Sequence, residues 1–174
     1  MKKIFFLLAT SFSVIAFGQM TALQINNYSS YLINGRLRAN DVVNCLPELY
    51  VGNTLGAGVF TIPPSTSTTY DKYFTTNTAT VPVLEYHVRL SYTGSAMTVD
   101  YNDPVMTTIS PTTDWSMFDF FVRDPINYDI HDHFRLGVAP CSGNYPTFQI
   151  GTQSETEWFT ISSGGTTFTY IHIY

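Results

Sequence analysis

Val83 to Tyr92 reads V-L-E-Y-H-V-R-L-S-Y. Leu84, Tyr86, Val88, Leu90 and Tyr92 share one parity, while Val83, Glu85, His87, Arg89 and Ser91 share the other. Successive side chains of an extended chain point to opposite faces, so the segment has one apolar, aromatic face and one mostly polar face. Wound into a helix, the same residues would scatter around the axis. The spacing predicts a strand with one face in a core, punctuated by Pro82 before it and Thr93-Gly94-Ser95 after it. Leu84, Val88 and Leu90 are then expected to lie buried against a second sheet.

Shorter versions of the pattern lie on both sides. Before it come Leu23-Gln24-Ile25, Tyr31 to Ala39, Glu48 to Val51 and Gly58 to Ile62. In the second of these, Tyr31, Ile33 and Leu37 share a parity and Arg36 and Arg38 take the other. Pro63 to Thr69 is a loop or sheet edge, because its two prolines cannot donate to a ladder. After it come Met97 to Tyr101, Trp115 to Arg123, Ile130 to Val138 and Phe148 to Ile150. Trp158 to Ile161 and Thr167 to Tyr174 flank Ser162-Ser163-Gly164-Gly165, a hairpin signal. No stretch carries a helical period, and no repeat of fixed length is visible. About ten short strands in one mid-sized domain predict an all-β fold, an antiparallel β-sandwich.

Met1 to Gly18 reads as a cleaved signal peptide. Lys2 and Lys3 give the positive start, Ile4 to Phe17 is apolar, and Ala16-Phe17-Gly18 is a small-x-small cleavage site. The chain thus divides into 1–18, the leader, and 19–174, a single sandwich domain. No cysteine follows the cut directly, so a lipid anchor is not expected. Losing Lys2 and Lys3 takes the net charge from −5 to −7 and leaves Lys72 as the one lysine beside five arginines. An acidic chain with no basic run is a poor match for nucleic acid or for anionic lipid. Aromatic residues at 16% against charged residues at 12% suit a β-rich exported protein and not a disordered one.

Cys45 and Cys141 are the two cysteines. In an oxidising compartment a single disulfide between them is expected, worth at most ~4–5 kcal/mol by chain entropy. A reactive or metal-bound thiol is the alternative, and neither cysteine has a C-x-x-C partner to support it.

Four constellations bear on chemistry. In Asp129-Ile130-His131-Asp132-His133-Phe134-Arg135, a strand puts His131 and His133 on one face with Asp129, two imidazoles able to approach one metal ion. His87 or Glu85 would complete the set if their strand were a neighbour. The plainer reading is a solvent-facing strand with cross-strand pairs, Glu85 or Asp119 against Arg135 or Arg123. Asp100-Tyr101-Asn102-Asp103 and the segment Asp124 to Asp132 have oxygen ligands suited to calcium, but Asp and Asn are also ordinary turn formers. Tyr28, Tyr31, Tyr70, Tyr73, Phe74, Tyr128 and Tyr145 lie near loops, where flat rings could stack on sugars or anchor a protein. The plainer reading places them in the core at strand ends. Finally Phe168, Tyr170, His172 and Tyr174 share a parity, as in the closing strand of an outer-membrane barrel.

No G-x-S-x-G, H-E-x-x-H or S-x-x-K motif supports nucleophilic or zinc-dependent catalysis. Glu155 and Glu157 beside Trp158 fall in an expected turn and make a poor carboxylate pair for glycoside hydrolysis. The sequence therefore describes a secreted, periplasmic or cell-surface protein that is a non-catalytic binding or surface-interaction module. Its expected ligand is a glycan or a cell-surface protein, contacted by Tyr70, Tyr73, Phe74, Tyr128 and Tyr145, with no cofactor and no nucleic-acid partner, and with a membrane partner only under the barrel alternative. A small outer-membrane barrel is the first alternative. A metal-dependent enzyme using His131 and His133, with Asp129 and His87, is the second.

Overall fold

The computed structural model describes residues 22–41, 43–51, 60–138, 145–163 and 166–174. Along Thr113–Arg123, Phe118, Phe120 and Val122 face inward while Asp119, Phe121 and Arg123 do not, the period of a half-buried strand. In chain order the strands are β1 (Ala22–Asn27), β2 (Leu32–Asp41), β3 (Glu48–Val51), β4 (Phe60–Ile62), β5 (Thr66–Tyr70) and β6 (Glu85–Arg89). They continue as β7 (Met97–Asp100), β8 (Thr113–Arg123), β9 (Ile130–Gly137), β10 (Phe148–Ile150), β11 (Glu155–Ser163) and β12 (Thr166–Ile173). A 3-10 helix (Tyr73–Thr78) precedes β6, and α1 (Pro104–Ile109) precedes β8. Each helix is six residues long, too short to show a period in the sequence. Asp103 nevertheless caps α1, its carboxylate accepting from Val105 N at 2.8 Å, and Pro104 opens the first turn.

The small sheet has the order β10-β11-β12-β1-β5. The large sheet has the order β7-β6-β3-β2-β8-β9, with β4 pairing a second stretch of β2. Neighbours are antiparallel except β1 and β12, which run parallel with Ile25 opposite Ile171. Neither sheet closes on itself among the described residues, and their inner faces share one core. The fold is an all-β sandwich. The single-layer membrane barrel is thereby corrected: two packed sheets bury their apolar faces in each other.

Leu23, Ile25, Trp158 and Ile171 of the small sheet meet Ile33, Leu37, Phe118, Phe120 and Phe134 of the large one. Phe118 and Phe120 stack at 4.5 Å. Gly35 permits this, since a Cβ there would stand 2.5 Å from the Phe118 ring. Tyr70 and Tyr73, expected at a ligand surface, are 1% and 0% exposed. They pack against Trp115 at 6.1 and 4.7 Å, and the Tyr70 hydroxyl donates to the Val81 carbonyl at 2.7 Å. They are core residues. Phe74 is partly buried against the same cluster.

The strand at Val83 to Tyr92 is shorter than its alternation suggests. Its partners β3 and β7 have four residues each, so only Glu85–Arg89 is paired. Val88 is buried as expected, whereas Leu84 and Leu90 lie beyond the ladder at 56% and 45% exposure. Parity breaks at the start too: the Thr76 hydroxyl donates to the Val83 carbonyl, and Val83 turns inward.

One inward position on β9 is not apolar. Asp132 is 8% exposed, and its carboxylate accepts from Thr152 N at 2.6 Å, Gln153 N at 2.9 Å and the Ser154 hydroxyl at 2.9 Å. These belong to the turn between β10 and β11, so Asp132 ties the large sheet to the small one. Gly151 makes room for it; a Cβ there would lie 2.4 Å from Asp132 Cγ. Burial alone would raise the Asp132 pKa, but the hydrogen bonds outweigh it and hold the carboxyl below its ordinary value. A depressed carboxylate contributes stability above its unfolded pKa of about 3.9, lost as pH falls through the folded value. Asp132→Asn should therefore lose about 1–3 kcal/mol at neutral pH and unfold with a flatter pH dependence below about pH 4. Thermal melts of both proteins across that range test this; equal acid sensitivity would remove Asp132 as the tie.

Candidate functional site

Inward aromatics on the large sheet leave its outward positions to polar groups. Arg36 and Arg38 on β2, Arg89 on β6, Arg123 on β8 and Arg135 on β9 all take the outward parity. These are all five arginines of the chain. Glu48 is held between two of them, within 3.8 Å of Arg38 and in direct ion-pair contact with Arg89.

Where β2, β8 and β9 run side by side, this face dips into an open cleft of about 300 Å³, lined by Asn34, Gly35, Arg36, Asp119, Phe121, His133 and Arg135. Register places them: Arg36 lies opposite Asp119, Asp119 opposite Arg135, and Phe121 opposite His133. His133 Nε2 is 2.7 Å from Asp119 Oδ1; an ionised carboxylate only accepts, so Nε2 carries the proton. Arg135 donates from Nε at 2.9 Å and Nη2 at 2.6 Å to Asp119 Oδ2. Burial pushes the Asp119 pKa up, but His133 and Arg135 pull it further down, and the group sits below the usual carboxylate value. The same bonds raise the pKa of Arg135.

The His133 ring stacks on Phe121 at 4.3 Å and 20°, and the Arg123 guanidinium lies 5.6 Å from the Phe121 centroid. Tyr145 stands 5.7 Å from the Arg135 guanidinium, and Gln149 Oε1 accepts from Arg135 N at 2.9 Å. Tyr145 is thus the predicted contact residue that the fold brings to the cleft rim. Tyr128 is exposed in the β8–β9 loop at a positive φ of 63°.

The proposed metal set is not assembled. A register shift between Val122 and Arg123 sets Asp132 opposite Val122 and Ile130 opposite Arg123, leaving His131 as the extra residue of a bulge. His131 turns to Asp124, 3.9 Å away, with its ring 5.0 Å from Tyr31, while His133 is held by Asp119. Asp129 accepts from Asn127 Nδ2 at 2.8 Å within its own loop. His87 lies on β6, separated from β9 by β3, β2 and β8, about 19 Å at the usual strand spacing. Its Nδ1 is 3.0 Å from the Thr98 hydroxyl. Among the described residues no three His, Cys, Asp or Glu side chains gather as a metal site would require. The acidic loops serve turns: Asp124 Oδ1 accepts from Ile126 N at 2.7 Å and Asn127 N at 3.2 Å. Glu155 and Glu157, expected in a turn, lie on β11 instead.

Cys45 sits partly buried in the β2–β3 loop with a positive φ of 67°. No described cysteine is free, and Cys141 lies outside the described residues.

The small sheet turns a different face outward. Phe148, Ile150, Ile161, Phe168 and Tyr174 are exposed there, with Tyr28 beside them. Tyr28 stacks on Tyr174 at 5.5 Å, and Phe159 on Tyr170 at 5.3 Å. His172 sits among these rings, its Nδ1 3.2 Å from Glu157 Oε1.

Sequence reasoning missed Arg36, Asn34, Asp119 and Phe121 as site residues. The signal was present, since the arginines of β2 share one parity and Asp119 stands two residues from Phe121. What parity cannot supply is which strands are neighbours. No family model, curated protein or solved structure matches the chain.

With the two histidines committed to different carboxylates, zinc added to chelator-treated protein is expected to leave the melting temperature unchanged. A site saturated at a hundred times its dissociation constant would add about 2.7 kcal/mol. A shift of that size, abolished by His131→Ala or His133→Ala, would restore the metal reading.

Proposed function

We propose that the chain is an exported, non-catalytic binding module whose ligand is a glycan held in the Asp119–Arg135 cleft. One observation carries this reading: forked guanidinium donors, a fixed carboxylate and the Phe121–His133 ring pair line one open depression. Sugars ask for that combination, because a pyranose offers an apolar face to a ring and a rim of hydroxyls to planar polar groups. The side chains are held by one another, so little ordering is needed when ligand arrives. The leader Met1 to Gly18 supports export, and export supports a Cys45–Cys141 disulfide.

A second reading is docking of a cell-surface protein on the outer face of the small sheet. Its support is the run of exposed rings there, whose faces are already partly taken by one another. Such a surface suits apolar side chains better than flat sugar stacking.

Gln19–Tyr174 applied to an oligosaccharide array should bind a subset of glycans, and Phe121→Ala should weaken that binding on the order of ten-fold. Binding that survives Phe121→Ala but is lost with Phe168→Ser and Tyr174→Ser would transfer the function to the small sheet. The disulfide has its own check. Native, non-reduced protein should take up no thiol-alkylating label, and labelling of both cysteines would remove the bridge.

A further inference from the structure

Strands β1, β5, β10, β11 and β12 of the small sheet contain no lysine and no arginine. Their carboxylates are Glu155 and Glu157, two residues apart on β11 and both on the outward parity, since Thr156 and Trp158 between and beyond them are buried. Register sets both acids inside an apolar surround. Glu157 lies between Phe148 of β10 and His172 of β12. Glu155 lies between Ile150 of β10 and Tyr174, with which it exchanges backbone hydrogen bonds at 3.2 and 2.9 Å. The Tyr174 hydroxyl donates to Glu157 Oε1 at 3.0 Å, and Glu155 is exposed. Burial first, then the bond to Glu157 and the nearby charges, raise the Tyr174 pKa, as a negative surround does to a phenol.

The apolar part of this face is large. Phe148, Ile150, Ile161, Phe168, Tyr174 and Tyr28 are 37% to 72% exposed. Six large side chains, each about half exposed, leave roughly 600 Å² of apolar surface in water, as much as the largest patch an ordinary monomer shows. A standard interface takes about 800 Å² from each partner, and the polar positions between the rings supply the remainder. The edges of the sheet are poorer templates: β10 has three residues, and β5 follows Pro63-Pro64. A partner is received on the face, then, and not added as a further strand.

Charge selects the occupant. Two copies laid face to face would oppose four carboxylates with no lysine or arginine from either small sheet between them. An anionic lipid surface is repelled for the same reason. A lysine or arginine side chain answers both features, because its methylene stem covers apolar surface while its head reaches a carboxylate.

We infer that the outer face of the small sheet receives a basic, amphipathic segment of a partner protein, its cationic heads on Glu155 and Glu157 and its apolar side chains on Phe148, Ile150, Phe168 and Tyr174. This rests on the protein-docking reading of the small sheet and is independent of the glycan cleft. Fluorescence anisotropy of labelled decapeptides titrated with Gln19–Tyr174 tests it, the probes being alternating Lys-Val, Glu-Val and Lys-Ser sequences. The Lys-Val peptide should bind about ten-fold or more tightly than either of the others. Glu155→Gln with Glu157→Gln should lower that affinity about ten-fold, since glutamine keeps the acceptor oxygen and loses the charge. Asp100→Asn with Asp129→Asn, which removes two exposed carboxylates from the large sheet and its β8–β9 loop, should leave it unchanged. An equal loss in both double variants would assign the binding to the net charge of the molecule and overturn the site. Glu-Val binding as tightly as Lys-Val would overturn the basic preference while leaving protein docking on this face intact. Lys-Ser binding as tightly as Lys-Val would remove the apolar face from the contact and overturn the amphipathic partner. Absence of binding by every peptide would overturn both the inference and the docking reading. Self-association in sedimentation, or adsorption to phosphatidylcholine vesicles, that is lost with Phe168→Ser and Tyr174→Ser would give the face to a second copy or to a lipid surface and overturn the inference.

Discussion

The pairing of β2 with β8 is the constraint on which the rest of the molecule depends. Phe118, Phe120 and Val122 must face inward to fill the core, and a strand has no choice about the residues between. Asp119, Phe121 and Arg123 are thereby turned to solvent, opposite Arg36, Asn34 and Leu32 of β2 respectively. Gly35 sits at the closest approach and lets the two strands hold this register against the Phe118 ring. The packing of the core and the assembly of the arginine-bearing face are one event. Slipping either strand by one residue would bury a guanidinium and expose a phenyl ring, an outcome far costlier than any single contact could offset.

Three polar groups that enter the interior, those of Lys72, Asn27 and Asp132, are met by partners from another element. Lys72, 4% exposed, donates to the Ser110 and Thr113 carbonyls at 3.3 and 2.9 Å. It thus ties the chain before the 3-10 helix to the end of α1 and the start of β8, and burial lowers its pKa. Asn27 donates to the Tyr31 and Pro63 carbonyls at 2.9 and 2.8 Å, joining the ends of β1 and β4. With Asp132 at the β10–β11 turn, these contacts stand where elements meet, and they specify how the two sheets face one another. Apolar burial supplies attraction between the sheets without direction; the buried polar contacts supply the direction.

Local alternation was readable and neighbourhood was not. Glu48–Val51 and Phe148–Ile150 begin and end where their apolar runs and flanking turn residues place them. The opposite parities of Ile33 and Arg36 hold in the folded strand. The Val83 to Tyr92 segment misled because its alternation continues past the reach of β3 and β7, and no feature of a strand's own sequence reports the length of its partners. Tyr70 and Tyr73 misled for a related reason. Proximity to a loop suggested exposure, but the 3-10 helix folds that loop over the end of the core. Asp132 was invisible as a tie because its partners lie some twenty residues away across the sandwich. The cleft needed three strands in register, so its individual residues could be placed on faces while the site itself could not.

The parallel pair of β1 and β12 bears on how the chain reaches its final form. The small sheet draws β1 and β5 from the beginning of the described chain and β10, β11 and β12 from its end. A chain emerging N-terminus first can pair β1 with β5 early, but one edge of β1 then waits for the last strand to arrive. Contacts of such sequence separation carry a high loop-closure cost and form late. The domain therefore stays open until β12 is available to pair with β1. During that interval the waiting edge of β1, with Leu23 and Ile25 beside it, is the surface most in need of protection from other unfinished chains.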